Sequence, residues 1–280
     1  MCGHPNSRAR FSAHVKNIES SACWCFVFAQ IAAFLIDMDG VLYKGQRPIQ
    51  GATAFLKRLQ DKEIPYQLLT NHSCMTPGEF SLKLRRMGIA VPRERIYSSS
   101  LAVAEWLRRR GVRRVYAIGE RGLHRALVEQ KIAVAQSDVS HVVVGLSRSI
   151  RYEQLTRAMR LIQSGAEFIG TNPDPAYPVE DGLAPECGAL LAALETCTGC
   201  SPKVIGKPAP FIYRCAAKRL KTPLRKIAMI GDRLDTDILG AHRAGMRSIL
   251  VLTGCTTKAM LKHSRIKPDA VVNSLAEIKP

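Results

Sequence analysis

Acidic side chains are in short supply in this 280-residue chain: 23 Asp and Glu stand against 41 Lys and Arg, a formal charge of +18 at pH 7. Aromatic residues are scarce as well, at 6% with two Trp. They do not interleave with the basic residues as the base-stacking positions of an RNA-binding sheet do. Zinc-finger spacing and a homeodomain-like basic arm are also missing. The charge comes without a reading element for bases, so no specific nucleic acid is expected as a partner. No apolar run is long enough to cross a bilayer as a helix, which takes ~20 residues. The nearest approach, from Ala22 to Ile36, has 15, and no membrane association is expected. Low-complexity tracts and short-period repeats are absent. Cysteines are plentiful, at nine, but paired patterns are not. Cys197-Thr-Gly-Cys200 and Cys23-Trp-Cys25 each stand without the second ligand pair of a zinc site. A chain this long needs no disulfides for its core, so the thiols read as reduced and the localisation as cytoplasmic.

What is present is an ordinary globular composition, 46% hydrophobic and 23% charged, at a length suited to one domain plus an insertion. The positive charge is locally dense. Ten Lys/Arg and two acidic residues lie between Lys83 and Arg114, and eight basic and no acidic residues between Lys203 and Lys226. Such stretches concentrate anions, phosphorylated metabolites among them, and otherwise read as solvated faces of surface helices. Arg8, Arg10 and Lys16 ahead of the apolar run imitate a secretory signal. The run, however, ends in Phe34-Leu35-Ile36 directly before two carboxylates, and cleavage after Ala33 would cut into that strand. Residues 1–30 are therefore expected to be a loosely attached, poorly ordered extension.

Strand-like and helix-like segments alternate almost throughout, the pattern of an α/β protein with a parallel sheet. Strands are expected at Ile31–Ile36 and Tyr66–Thr70, and later at Ile227–Ile230 and Ser248–Leu252, with Ala270–Val272 at an edge. Thr76, Pro77 and Glu79 spell a helix start with a capping box, and Gly88 a helix end. Between these halves the alternation continues, with strands at Val115–Gly119, His141–Gly145 and Glu167–Gly170. The expected organisation is a core from 31–110 and 202–280, interrupted by an inserted α/β domain at 111–201.

Four separated features point to phosphate chemistry. Asp37-Met38-Asp39-Gly40 follows a buried strand, where carboxylates project into the crevice in which open α/β sheets bind ligands. Burying that charge without a cation is costly, so a metal is implied. Thr70-Asn71 ends another strand with a hydroxyl and a carboxamide, donors suited to phosphoryl oxygens. Gly206-Lys207-Pro208 holds a lone Lys, and Gly231-Asp232-Arg233-Leu234-Asp235-Thr236-Asp237 begins where a further strand ends. Asp232 can complete a hard oxygen site with Asp37, and Mg²⁺ suits few carboxylates with water and phosphate in the remaining positions. Each motif alone has an ordinary reading: Asp in turns and caps, and Asp235, Thr236 and Asp237 as the start of a helix. Their joint order and strand-end placement do not.

That order, DMDGVL, LLTN, GKP and GDRLDTD, resembles the haloacid dehalogenase superfamily of phosphohydrolases. With about 130 residues between Asn71 and Lys207, and with Thr171-Asn172-Pro173-Asp174 and Gly188-Ala189-Leu190 inside that interval, the chain is similar to the branch with a large α/β cap (subfamily IIA), which includes NagD-like, AraL-like, phosphoglycolate and pyridoxal-phosphate phosphatases. The resemblance runs from about Phe34 to Asn273. It implies a Rossmann-like, doubly wound core with an inserted cap, and a phosphatase for monoesters of small metabolites. Asp37 would be the nucleophile forming an aspartyl-phosphate, Asp39 the acid and then base, and Lys207 the cation joining nucleophile and phosphoryl charge. Thr70 and Asn71 would orient the phosphoryl group. Asp37, the carbonyl of Asp39 and Asp232 would hold Mg²⁺, with Asp237 behind them. A homodimer through the cap is a further implication.

Two residues depart from the branch. His72 stands where relatives have a second Asn, and reads as a neutral donor in the same place. Glu186 stands where they have a small residue, and would select against very acidic substrates. Tyr177, in the loop after Asp174, reads either as a substrate contact that stacks on a sugar, ring or base or as a turn residue packed against Pro178. The other readings are a phosphotransferase or mutase using the same intermediate, and a non-catalytic regulatory protein on the same fold.

Overall fold

The computed structural model describes residues 30–179 and 182–280; the N-terminal extension and Cys23-Trp-Cys25 lie outside the described residues. Six strands form one wholly parallel sheet. Its order is Ala270–Val272, Arg247–Val251, Ile227–Gly231, Ala33–Ile36, Tyr66–Thr70 and Ile96–Ser98. From the central strand Ala33–Ile36 the chain builds outwards through 66–70 and 96–98. It then returns to the other side of the same strand for 227–231, 247–251 and 270–272. The reversal between 33–36 and 227–231 is the switch point at which open α/β sheets place their ligands. The expected fold class is the observed one.

The strands are apolar on both faces because helices cover both. Leu35, Leu69, Tyr97 and Met229 point into one buried cluster, and Phe34, Ile36, Leu68 and Ile230 into the other. The helix Pro77–Arg86 begins as its sequence demands. The Thr76 hydroxyl accepts from Glu79 N, and the Glu79 carboxylate accepts from Thr76 N at 2.8 Å.

A second parallel sheet of five strands lies within the insertion, ordered Lys203–Val204, Glu167–Gly170, His141–Val144, Arg114–Ile118 and Ala133–Val134. Lys203–Val204 pairs with Ile169–Gly170, so these two residues belong to the inserted sheet and not to the core segment expected to start at 202. The helix Ser99–Arg109 carries one core across the junction. Val103 and Leu107 share a buried cluster with Leu35 and Met229 on one side and with Val115, Leu123 and Val143 on the other. A short antiparallel hairpin, Ala176–Val179 with Gly182–Pro185, follows Asp174 and ends where the helix Cys187–Thr198 begins.

Candidate active site

The strand ends at the switch point bring the separated motifs together. Asp37 N donates to the carbonyl of Ile230 at 2.9 Å, which ties the first motif to the strand that ends at Gly231. Asp37, Asp232 and Asp237 each place a carboxylate oxygen within 4.8 Å of the others, and all three are buried. Lys207, 3% exposed, threads between them. Its Nζ donates to Asp37 Oδ1 at 2.8 Å and to Asp237 Oδ1 at 2.7 Å.

The glycines explain how these carboxylates approach so closely. Gly40 has φ +75°, and a Cβ there would overlap the Asp232 carboxylate. At Gly231 a Cβ would fall inside the carboxylate of Asp237. Both glycines leave room for charge, and neither can be replaced without moving a buried acid.

Burial is the main cause of the unusual acidities. It raises Asp37 and Asp232 to about 6 and Asp237 to about 7, with the mutual repulsion of the acids adding to it and Lys207 opposing it. Burial by itself would lower Lys207, but the neighbouring Asp237 and Asp37 outweigh it and hold the ammonium above its ordinary value.

The cluster fits a hard divalent cation. Asp237 is committed to protein donors on both oxygens, Oδ1 to Lys207 and Oδ2 to Arg233 N at 3.2 Å. Asp232 is not. Its Oδ2 accepts from Cys255 N at 2.7 Å, while Oδ1 is buried without a hydrogen-bond partner among the described residues. An orphaned carboxylate oxygen beside a second buried carboxylate is the signature of a cation site.

Around this centre the other expected residues take distinct places. The Asp39 Oδ2 accepts from the hydroxyl of the fully buried Tyr43 at 3.0 Å. Burial, with Asp39 adding to it, pushes Tyr43 upward, so it remains a donor, and Lys83 Nζ lies 4.1 Å over its ring. Thr70 Oγ1 accepts from His72 N at 3.1 Å, which leaves the Thr70 hydrogen free. His72 Nδ1 accepts from Cys74 N at 3.3 Å, so Nε2 carries the proton, and burial lowers the ring's basicity. The Tyr177 ring reaches across from the hairpin to within 6.5 Å of the His72 ring, edge to face.

Models of two parts of one family match the chain: a haloacid dehalogenase-like hydrolase model over residues 34–133 and a HAD-hydrolase-like model over residues 204–278. A dihydroxyacetone phosphatase of Corynebacterium glutamicum is 36% identical over 249 residues, covering 88% of this chain and 90% of the relative. The chain belongs to the haloacid dehalogenase-like hydrolases. Another relative of this hydrolase, the 5'-nucleotidase YutF of Bacillus subtilis, is 37% identical, with 88% and 97% covered. Among solved structures, NagD of E. coli K-12 superposes with a TM-score of 0.85 at 33% identity, covering 89% of this chain and 98% of that one. The 4-nitrophenylphosphatase of Thermotoga maritima does so at 0.86 and 34%, with 90% and 97% covered. These NagD-like neighbours share the doubly wound core with its inserted α/β cap.

Within this hydrolase the side chain of Asn71 departs from its expected place. One amide hydrogen goes to the Lys207 carbonyl at 3.0 Å and the other to Asp174 Oδ2 at 2.9 Å, while Oδ1 accepts from Lys207 N at 2.8 Å. The carboxamide is fully committed to protein partners and has no hydrogen left for a phosphoryl oxygen. Asp174 was not singled out in the sequence as a site residue, and only its place in the Thr-Asn-Pro-Asp segment marked it. Arg233 forms a two-point pair with Asp235 at 3.1 and 2.8 Å and faces Asp174 at 3.7 Å. Asp235 is therefore occupied by Arg233 and does not cap the helical turn that follows. Glu186 is 4% exposed, receives Asn172 Nδ2 at 3.4 Å, and is raised by its burial to about 7.

Proposed function

We propose that this hydrolase is a Mg²⁺-dependent phosphatase of small phosphorylated metabolites, working through an aspartyl-phosphate on Asp37. The observation that carries this reading is the seating of Lys207 Nζ between Asp37 and Asp237 beside the orphaned Asp232 oxygen. Lys207 occupies Oδ1 of Asp37 and leaves Oδ2 to attack phosphorus. As the Oδ2–phosphorus bond forms, the ester oxygen departs with a proton from Asp39, whose carboxyl group Tyr43 orients. Water then attacks the phosphorus, Asp39 takes its proton, and the bond to Asp37 breaks to release inorganic phosphate. The Thr70 hydroxyl and the backbone N–H of Asn71 serve the phosphoryl oxygens, and the Lys207 ammonium balances their charge. Asp37, the Asp39 carbonyl and Asp232 would hold Mg²⁺, which supplies further compensation for the phosphoryl charge.

The relatives named dihydroxyacetone phosphatase and 5'-nucleotidase support a mostly neutral leaving group. Tyr177 and the buried Glu186, both on the insertion, give this side of the crevice an aromatic face and an acid. No helix among the described residues is long and apolar enough to cross a membrane. A cytoplasmic enzyme, homodimeric through its cap, is the setting proposed. The test is hydrolysis of a panel of phosphate monoesters with Mg²⁺, with Asp37→Asn as control. Wild-type turnover with at least a thousandfold loss in the variant is expected, on the scale seen when a nucleophile is removed. Substantial turnover by Asp37→Asn would refute the mechanism.

A further inference from the structure

Asp174 belongs to the inserted domain, yet its carboxylate is bonded to the core. The turn that carries it is clamped to the cap: Gly188 N donates to the Asp174 carbonyl at 2.9 Å, and Asp174 N to Asn172 Oδ1 at 3.1 Å. A Cβ on Gly188 would overlap the carbonyl oxygens of Pro173 and Asp174, so the helix Cys187–Thr198 starts hard against this turn. From there two hydrogen bonds cross to the core, beside the longer Arg233–Asp174 ion pair at 3.7 Å. Asn172 Nδ2 donates to the Asn71 carbonyl at 2.9 Å, and Asp174 Oδ2 accepts from Asn71 Nδ2 at 2.9 Å.

Asn71 passes the constraint on. Its carboxamide bonds both main-chain polar atoms of Lys207, and the Lys207 ammonium bonds the nucleophile. Neighbouring space is tight: a Cβ on Gly206 would overlap the Thr171 carbonyl and come within 2.8 Å of Asn71 Oδ1. With Asp174 in place, the acceptor at Oδ2 decides which way the Asn71 amide faces. Without it, a buried amide hydrogen has no partner, and the group can turn away from Lys207.

We propose that Asp174 is a positioning residue, through which the inserted domain seats Lys207 between Asp37 and Asp237 by way of the Asn71 carboxamide. The idea rests on the phosphatase reading for its catalytic consequence, though not for its geometry. The cap would then contribute to the chemical step without touching the reacting atoms.

The experiment compares Asp174→Ala and Asp174→Asn in the full chain, alone and with Asn71→Ala. The readouts are kinetics on 4-nitrophenyl phosphate and a sugar phosphate, and amide hydrogen exchange across residues 205–209. Asp174→Ala should lower kcat about tenfold on both esters, with KM within about twofold. Asp174→Asn keeps an acceptor oxygen and should restore most of the loss. In the Asn71→Ala background, Asp174→Ala should cost less than about twofold, because the relay is already broken. Exchange at the Lys207 amide should quicken in Asp174→Ala and not in Asp174→Asn. Unchanged kcat, KM shifts that differ between esters, or an equal cost in both backgrounds would overturn the proposal. If Asp174→Ala unfolds early, Asp174→Leu, of similar volume and without an acceptor, replaces it. A wild-type chain that hydrolysed no ester would sink the phosphatase reading, while hydrogen exchange would still decide this one.

Discussion

In chelator, with no divalent metal to bind, this protein should become less stable as pH rises, and the reason lies in four buried groups. Asp37, Asp232, Asp237 and Lys207 are each at most 6% exposed, with three negative charges facing one positive. Burial lifts the acids from an ordinary 3.8 to about 6, 6 and 7. The folded state thus holds protons that the unfolded chain has released. Stability from these groups is present below about pH 4 and is lost as pH climbs through 6 to 7. A single carboxyl moved from 3.8 to about 6 corresponds to ~3 kcal/mol. For a chain of this size that shifts the unfolding midpoint by roughly 5 °C. Mg²⁺ should recover the loss at pH 8 and do little at pH 5, where the carboxyls keep their protons. The assay is thermal unfolding followed by circular dichroism, in chelator and in millimolar Mg²⁺, at both pH values. Asp232→Asn isolates the site from other titrating groups: its amide oxygen can still accept from Cys255 N, while one buried charge disappears. In chelator at pH 8 the variant should melt above the wild type, and it should lose the Mg²⁺ response. A variant that melts lower in chelator at pH 8, or that responds to Mg²⁺ as the wild type does, would refute the reasoning.

Three further outcomes are expected. Tyr43→Phe removes the hydroxyl that orients Asp39. It should slow alkyl phosphates several-fold more than 4-nitrophenyl phosphate, whose leaving group needs no proton; equal slowing of both would show that Tyr43 does not act through the acid. Gly231→Ala would put a methyl group into the Asp237 carboxylate. Unfolding measurements should show a loss of roughly 1–3 kcal/mol together with activity, and a variant as stable and active as wild type would contradict the packing. Tyr177→Ala and Glu186→Gly should reorder esters by kcat/KM and leave the Mg²⁺ requirement alone. Because Glu186 is raised to about 7, its penalty on more anionic esters should grow as pH rises through 7 in the wild type and vanish in Glu186→Gly. A uniform loss across all esters would make these residues structural.

Much of this was legible along the chain because the signals are local. Phe34-Leu35-Ile36 and Met229-Ile230 are apolar runs that end in carboxylates, and a parallel sheet puts such ends on one edge. Thr76, Pro77 and Glu79 determine their capping box within four residues. The hairpin 176–185 was missed, as was the pairing of Lys203–Val204 with the inserted sheet, since two- and four-residue strands carry too little periodicity to stand out. Asn71 shows the same limit at the site. Its strand-end position was legible, but its partners lie 103 and 136 residues away in Asp174 and Lys207.

The amino-acid sequence by itself determined the chemical inventory: two carboxylates after the first strand, a hydroxyl after the second, one lysine, and acids after the strand that ends at Gly231. It also determined the alternation that makes an α/β fold, because helix and strand periods are written in neighbouring residues. Only the tertiary structure decided how those groups are allotted. Lys207 takes Asp37 Oδ1 and Asp237 Oδ1, Arg233 N takes Asp237 Oδ2, and Asp232 Oδ1 is left over for a cation. The physical reason is that a buried donor or acceptor satisfies its hydrogen bonds by distance and direction in space. Residues up to 170 positions apart then meet at the same carboxylates, and no local pattern records which donor takes which oxygen.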